Sequence, residues 1–259
     1  MKLFSREYTP ATSTGKSPLI IIHGLFGSSD NWLTQAKLFS QQYKVYTIDQ
    51  RNHGQSPHDD AFDYKAMVQD LLEFINDHNI VNPTIIGHSM GGKTAMNFAL
   101  THPDKLEKLI IVDIAPRAYD LEHYAIADGL AAIPVATLTS RNQADEILAQ
   151  HVPDADTRQF LLKNLNRKPE GGFSWKINLP VIREKLSNVG LDLHVQGTFE
   201  KPTLFIRGRR SNYVPDSNWT RIQEIFPKAV LETMDTGHWV QAEKPQEFVD
   251  IVMRWLDQA

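Results

Sequence analysis

Cysteine is absent from the 259 residues of the sequence. Its absence excludes disulfide bonds, thiol nucleophiles and cysteine metal ligands. Long apolar runs are missing too: no segment approaches the roughly 18 residues that a membrane-spanning helix needs. The N-terminus also lacks the apolar core of a secretory signal. We therefore expect a soluble, cytoplasmic protein without a membrane partner.

An excess of basic residues is missing as well. Lys and Arg number 27 against 31 Asp and Glu, which gives a formal net charge of -4, and the basic residues are scattered. Nucleic acid binding relies on a basic patch, so we expect no nucleic acid partner. His53 and His58 lack a third ligand at a recognisable metal spacing, and we expect them to pack within their loop. No metal and no cofactor are predicted, and the oligomeric state stays open.

Short β-branched runs alternate with stretches of helical periodicity. Apolar residues make up 41% of the chain and charged residues 22%, which is typical of a globular domain. Buried strands are predicted at residues 18–22, 44–49, 84–86 and 109–113, with helices between most of them. This alternation favours a right-handed, doubly wound, mostly parallel sheet, which binds ligands at the carboxyl ends of its strands.

The strongest local signal lies at residues 83–92. Their sequence, Pro-Thr-Ile-Ile-Gly-His-Ser-Met-Gly-Gly, runs from a strand into a helix through Gly-x-Ser-x-Gly. This is the nucleophile-elbow pattern, in which a sharp turn makes the serine hydroxyl project from the sheet. Gly87 and Gly91 leave room for the turn, and the helix N-terminus directs N–H groups towards developing negative charge. Ser89 is therefore predicted to be a nucleophile.

Four further segments accompany the elbow. They are His-Gly-Leu-Phe-Gly at 23–27, Asp-Gln-Arg-Asn-His-Gly-Gln-Ser at 49–56, Asp-Ile-Ala-Pro at 113–116 and Gly-His-Trp at 237–239. With these segments the chain resembles the α/β-hydrolase superfamily, and within it most of all the YbfF-type bacterial esterases. The resemblance spans nearly the whole chain and is least specific between residues 117 and 200.

The resemblance implies an α/β-hydrolase fold, with a mostly parallel, doubly wound sheet and a helical cap inserted after the sixth strand. It divides the chain into three parts. Residues 1–117 form the first part of the core, residues 118–200 form the cap, and residues 201–259 complete the core.

A nucleophilic serine needs a base, and His238 follows glycine in the late loop where the resemblance places that base. The acidic residue that would orient this histidine is missing from its usual position. In most relatives it lies three residues beyond the glycine that ends the strand after the cap, and here that position is Ser211. Asp113, at the tip of the preceding strand, is predicted instead. Asp235, Asp216 and an arrangement without an essential acid remain as alternatives.

The resemblance further implies that the N–H groups of Leu25 and Met90 form the oxyanion hole. We predict that His23, in the loop of Leu25, braces that loop. Candidate walls of the substrate pocket are side chains next to these motifs and in the cap, which could also be cap core. They are Phe26, His88, Tyr119, Phe160, Trp175 and Trp239.

These residues predict a serine hydrolase that cleaves carboxylic ester or thioester bonds of small acyl substrates through an acyl-enzyme intermediate. Alternatives are a C–C bond hydrolase or an acyltransferase on the same scaffold, or a receptor of the same fold that binds a ligand. Turnover separates these classes, because a receptor converts at most about one equivalent of ligand.

Overall fold

The computed structural model describes residues 1–120 and 123–258. Its strands are β1 (Ser5–Tyr8), β2 (Leu19–Ile22), β3 (Val45–Ile48), β4 (Thr84–His88), β5 (Lys108–Val112), β6 (Leu165–Arg167), β7 (Phe173–Trp175), β8 (Thr203–Gly208) and β9 (Ala229–Met234). Seven of them form one sheet in the order β1-β3-β2-β4-β5-β8-β9, and β6 and β7 form a separate hairpin. All neighbours in the main sheet are parallel except β1, which runs antiparallel to β3.

The helices are α1 (Leu33–Phe39), α2 (Tyr64–Asp77), α3 (Met90–Thr101), α4 (His123–Ala131), α5 (Arg141–Leu148), α6 (Ala155–Leu162), α7 (Leu179–Glu184), α8 (Leu186–Gly190), α9 (Trp219–Ile225), α10 (Val240–Glu243) and α11 (Pro245–Gln258). Within the described ranges, no helix combines the length and the apolar character needed to cross a membrane.

Helices cover both faces of the main sheet. Strand β2 is apolar at every position because both of its faces are buried. Leu19 and Ile21 join the core that includes α1 and α11. Ile20 and Ile22 join the opposite core, which includes α2, α3 and α9. Successive side chains of a strand point to opposite faces, so burial on both faces requires apolar residues at every position. The prediction of a doubly wound, mostly parallel sheet is confirmed.

A third apolar core lies in the segment between β5 and β8. It gathers side chains from α4 to α8 and from the β6–β7 hairpin. The same core contains Leu25, Phe26 and Met90, which belong to loops at the carboxyl edge of the main sheet or to the start of α3. The helical segment therefore packs directly on the loops that carry the predicted site.

One detail of the predicted fold is wrong. The helical segment follows β5, which is the fifth strand in chain order, and not a sixth strand. Residues 9–17, between β1 and β2, form no strand, so only five strands precede the helical segment. Pro10 lacks a backbone N–H, and Gly15 has a φ of +66°, so this stretch is poorly suited to a β-ladder.

Candidate active site

The predicted site residues lie on neighbouring loops at the carboxyl edge of the sheet. Ser89 follows β4, and Asp113 follows β5, the next strand in the sheet. Ser211 follows β8, and His238 follows β9. Four consecutive strands thus deliver these side chains to one edge, where ligands of such sheets bind.

Ser89 occupies a sharp turn between β4 and α3. Its backbone has a φ of 53° and a ψ of -119°, and its N–H donates to Val112 O at 3.1 Å. A positive φ is strained for a serine, and the surrounding strand and helix hold it in place. A Cβ added at Gly91 would lie 2.5 Å from the carbonyl oxygens of Ile22 and His23, so the close approach of α3 to β2 requires glycine there.

Backbone strain is concentrated at this edge. Six non-glycine residues of the described chain have a positive φ, and three of them are asparagines, which tolerate it best. The other three are Phe26 (59°), Ser89 (53°) and Asp113 (49°). Each lies in a loop of the predicted site. Strained residues of this kind cluster at functional sites, where their conformation sets the direction of a reacting group.

Asp113 contacts the predicted base directly. Its side chain is fully buried, and Oδ2 accepts a hydrogen bond from His238 Nδ1 at 2.7 Å. With the proton on Nδ1, the Nε2 atom of His238 keeps its lone pair. The alternatives lie elsewhere: Asp235 pairs with Arg210 at 2.8 Å, and Asp216 pairs with Arg207 at 2.6 Å.

Ser211 occupies the position where most relatives carry the acid, and it contacts the carboxylate that replaces it. Its hydroxyl donates to Asp113 Oδ2, the same oxygen that His238 contacts. The N–H of Gly208 donates to Asp113 Oδ1 at 2.9 Å. The Asp113 carboxylate thus accepts hydrogen bonds from Ser211, His238 and Gly208. The sequence shows the missing acid but not this contact, which depends on β5 lying beside β8.

His238 is held on two sides. The ring of Tyr213 stacks on it with centroids 4.1 Å apart and planes at 22°. The Nε2–H of His88 donates to the His238 carbonyl oxygen at 2.9 Å. Burial, and the neighbouring His238 to a lesser degree, lowers the pKa of His88 to about 3. His88 therefore stays neutral and acts here as a hydrogen-bond donor.

The loop of Leu25 is braced by two buried histidines. His53 Nδ1–H donates to Arg51 O at 2.9 Å, which leaves Nε2 to accept from the Phe26 N–H at 3.1 Å. Burial lowers the pKa of His53 to about 3, which keeps that acceptor available. His23 Nε2 accepts from the Gln50 N–H at 2.9 Å. The bracing role predicted for His23 is confirmed, and His53 acts in the same way.

This brace leaves two backbone donors available. The turn closes between Gly27 N–H and Gly24 O at 3.0 Å, with Leu25 inside it. Within the part of the chain that the structure describes, the N–H groups of Leu25 and Met90 donate to no protein acceptor. Buried backbone donors are normally paired, so two unpaired donors beside Ser89 mark a place for a ligand oxygen.

Comparison with known proteins assigns the family. A family model described as alpha/beta hydrolase fold matches residues 17–245. The chain belongs to the α/β-hydrolase family. Esterase YbfF of Escherichia coli (strain K12) is 34% identical over 259 residues, covering 99% of this chain and 100% of that relative. The sn-1-specific diacylglycerol lipase ABHD11 of Xenopus laevis is 39% identical over 252 residues, covering 93% of this chain and 80% of that relative.

A solved structure agrees with this assignment. A protein described as a marine microorganism esterase superposes with a TM-score of 0.93 and is 40% identical, covering 98% of this chain and 99% of that one. The matches to YbfF and to the marine esterase span essentially complete chains, and all three names describe an esterase or a lipase. This α/β hydrolase is therefore a serine hydrolase of ester bonds.

Two cavities of the α/β hydrolase meet at Ser89. The first has an empty volume of about 540 Å³, including the solvent at its mouth. It is lined by both Ser89 and His238. Its further lining includes Phe26, His88, Ile126, Phe160, Leu161 and Trp239, so four of the predicted pocket residues lie here. The wall contributed by the helical segment is mostly apolar, which suits the hydrocarbon part of a substrate.

The second cavity lies between Ser89 and the end of α8. Its lining includes Tyr64, Lys93, Tyr119 and Val189. Tyr119, predicted as a pocket wall, therefore lines this second cavity. The sequence does not predict Lys93 as part of this lining, because a lysine side chain normally reaches solvent.

Trp175 does not line either cavity, contrary to the prediction. It lies at the end of the β6–β7 hairpin and lines a separate depression with Asp49 and Asn166. The hairpin explains this position: Trp175 pairs in register with Leu165, so the two side chains share one face, and Trp175 packs against the core of the helical segment. Periodicity in a three-residue strand is too short to reveal which face is inward.

Gly91→Ala tests the tight elbow. The added carbon would collide with two carbonyl oxygens, so α3 has to shift away from β2 and from the loop of Leu25. We expect a stability loss of about 2–4 kcal/mol and a fall in kcat/KM of at least about 100-fold. Thermal denaturation and ester hydrolysis measure both. Gly15→Ala is the control for the collision alone: its added carbon meets nothing within 4 Å, and its φ of +66° costs only about 1 kcal/mol of strain. Equal behaviour of the two variants would contradict the packing account.

The pH profile tests which histidine reacts. His238 has to be neutral to take a proton, so its protonation removes activity. Burial keeps His23, His53 and His88 neutral, with lowered pKa values that are about 3 for the last two. These three histidines therefore do not titrate above about pH 5, and the acid limb of log(kcat/KM) there should have a slope of one, from a single base. A slope of two would show that a second histidine titrates with the reaction.

Proposed function

We propose that this hydrolase cleaves neutral carboxylic esters with small to medium acyl groups, through an acyl-enzyme on Ser89. Thioesters belong to the same proposal, because their carbonyl passes through the same tetrahedral intermediate. The observation that supports it best is the hydrogen bond between the buried Asp113 carboxylate and His238 Nδ1, at 2.7 Å. It sets the tautomer in which Nε2 is the base, and His238 lines the same cavity as Ser89.

In the proposed mechanism, Ser89 Oγ attacks the ester carbonyl while His238 Nε2 takes the hydroxyl proton. The C–O⁻ group of the intermediate lies against the N–H groups of Leu25 and Met90, each worth about 3–4 kcal/mol in the transition state. His238 then gives its proton to the leaving alkoxide. A water molecule, activated by the same histidine, attacks the acyl carbonyl and releases the acid. Asp113 stabilises the imidazolium in both steps.

The first cavity supports an apolar acyl group. Ile126, Phe160, Leu161 and Trp239 form one of its sides, with the Phe160 and Trp239 rings packed at a centroid distance of 5.4 Å. Apolar walls offer little to a charged acyl group, which would lose its hydration without a partner. We therefore propose uncharged acyl chains. The name of the Xenopus relative suggests glycerol esters as one natural class to include in a substrate screen.

Hydrolysis of p-nitrophenyl esters and acyl thioesters of increasing chain length tests this function. We expect many turnovers per chain, and a kcat/KM that rises with acyl length and then falls once the first cavity is filled. Conversion of no more than about one equivalent would indicate a ligand receptor and contradict the proposal. A preference for acyl chains that end in a carboxylate would contradict the apolar assignment of the first cavity.

A further inference from the structure

Lys93 is buried next to the nucleophile, and the mechanism above does not use it. It lies on α3, four residues after Ser89, and is 1% exposed. Its Nζ donates to the carbonyl oxygen of Gly190 at 3.3 Å and to that of Leu191. The ammonium also lies 4.9 Å from the centroid of the Tyr119 ring. These contacts compensate for the loss of hydration that burial imposes on a cation.

Lys93 holds the point where the chain leaves the helical segment. We call residues 189–194 the cap exit. The carbonyls that Lys93 contacts belong to the last residue of α8 and to its C-cap, and a cation is favourable at the C-terminal end of a helix. Two other groups hold the same place: the Tyr64 hydroxyl donates to Val189 O at 2.7 Å, and the Tyr119 N–H donates to Gly190 O at 2.8 Å.

The C-terminal part of the cap exit also contacts helices that pack on the main sheet. The N–H of His194 donates to Asn97 Oδ1 at 3.0 Å, and Asn97 lies one turn after Lys93 on α3. Arg221 pairs with Asp192 at 2.6 Å and donates to Pro116 O at 2.5 Å, which joins the exit to the entry of the helical segment. The ion pair between Arg221 and Asp192 is at the surface, whereas the Lys93 side chain lies beside the second cavity.

We propose that Lys93 is a positioning residue: its ammonium, carried by the nucleophile helix, fixes the cap exit and thereby sets the width of the second cavity at Ser89. The inference rests on the proposed ester hydrolysis for its effect on substrates. Val189 and Lys93 line that cavity together with Ser89, so a displacement of the cap exit changes the space beside the reacting carbonyl. The chemical groups at Ser89, His238 and Asp113 do not depend on it.

Burial lowers the pKa of Lys93 to about 8. The ammonium form is therefore still the major one at neutral pH. Losing the charge by mutation removes the donors to two carbonyl groups, and the Leu191 carbonyl then depends on water for its hydrogen bond.

Lys93→Met tests the proposal, because methionine has a similar length but no charge and no donor. Lys37→Met, at an exposed position on α1, is the matched control. We expect the amides of residues 189–194 to exchange hydrogen at least about tenfold faster in Lys93→Met than in the control. With p-nitrophenyl acetate, kcat should stay within about threefold of wild type. With p-nitrophenyl esters of bulkier acyl groups, KM should change by about tenfold or more.

Exchange that is unchanged at residues 189–194, or equal losses of kcat with every ester, would overturn the proposal. Wild-type protein that hydrolyses no ester would instead refute the proposed function, and hydrogen exchange would still test the role of Lys93. If Lys93→Met does not fold, Tyr64→Phe provides the second test. It removes one donor to Val189 O and should produce the same division between KM and kcat, with a smaller change.

Discussion

Ser89→Ala should reduce kcat by about 10⁵ to 10⁶-fold while the protein stays folded. The loss is large because the acyl-enzyme cannot form, and only the oxyanion donors and substrate binding remain. The fold should survive, since the Ser89 N–H that bonds to Val112 O is unchanged by the substitution. Alanine at a φ of 53° has the same strained backbone as serine, because both residues carry a Cβ, so the substitution should cost little stability. Steady-state hydrolysis of a p-nitrophenyl ester, with thermal denaturation alongside, measures both effects.

Ser40→Ala is the control for this variant. Ser40 ends α1, and its hydroxyl donates to Lys37 O far from the site, so its removal should leave kcat unchanged. A Ser89→Ala protein that turns over at more than about one hundredth of the wild-type rate would show that another group performs the chemistry. Because a trace of wild-type enzyme would exceed the expected activity of Ser89→Ala, the variant has to be expressed and purified separately.

Asp113→Asn should lower kcat by about 10⁴-fold with little effect on folding. The asparagine amide would donate to His238 Nδ1 and force the proton onto Nε2, where it blocks attack by Ser89. Asparagine suits the backbone at this position, because it tolerates the φ of 49° well. The packing around residue 113 also changes little, since the Asp and Asn side chains have nearly the same shape. Single-turnover and steady-state hydrolysis measure the loss.

Asp235→Asn and Asp216→Asn are the matched controls for the acid. Both carboxylates pair with surface arginines, and neither pair involves His238. We expect rates within about twofold of wild type for both. A large loss in either control, together with a nearly normal Asp113→Asn enzyme, would assign the acid to the other carboxylate.

Much of the site could be predicted because its residues lie at the ends of recognisable strands. Ser89 is marked by the change from a β-branched run to a helix through Gly-x-Ser-x-Gly, and Asp113 ends the next apolar run. Parallel pairing then places both at one edge of the sheet. The contact of Ser211 with Asp113 was beyond this reasoning, because it depends on the pairing of Val112 with Ile206 across β5 and β8.

Lys93 shows a different limit of the sequence. Its neighbours on α3 are consistent with a buried helix, yet a lysine usually reaches solvent. It is buried here because the cap exit, about a hundred residues later in the chain, covers the helix and supplies carbonyl acceptors. The prediction that Trp175 lines the substrate pocket is wrong for a related reason. The sequence does not show whether an aromatic residue of the helical segment lines the pocket or packs elsewhere. Long-range packing decides both cases.

The most direct test of the central claim is the covalent intermediate itself. Wild-type protein is mixed with p-nitrophenyl butyrate, quenched with acid during the pre-steady-state phase, and examined by intact mass and peptide mass spectrometry. The account predicts a burst of about one p-nitrophenolate per active chain and a single butyryl group on Ser89. A butyryl group on His238 or Lys93 without one on Ser89, or turnover with no burst and no adduct, would contradict it.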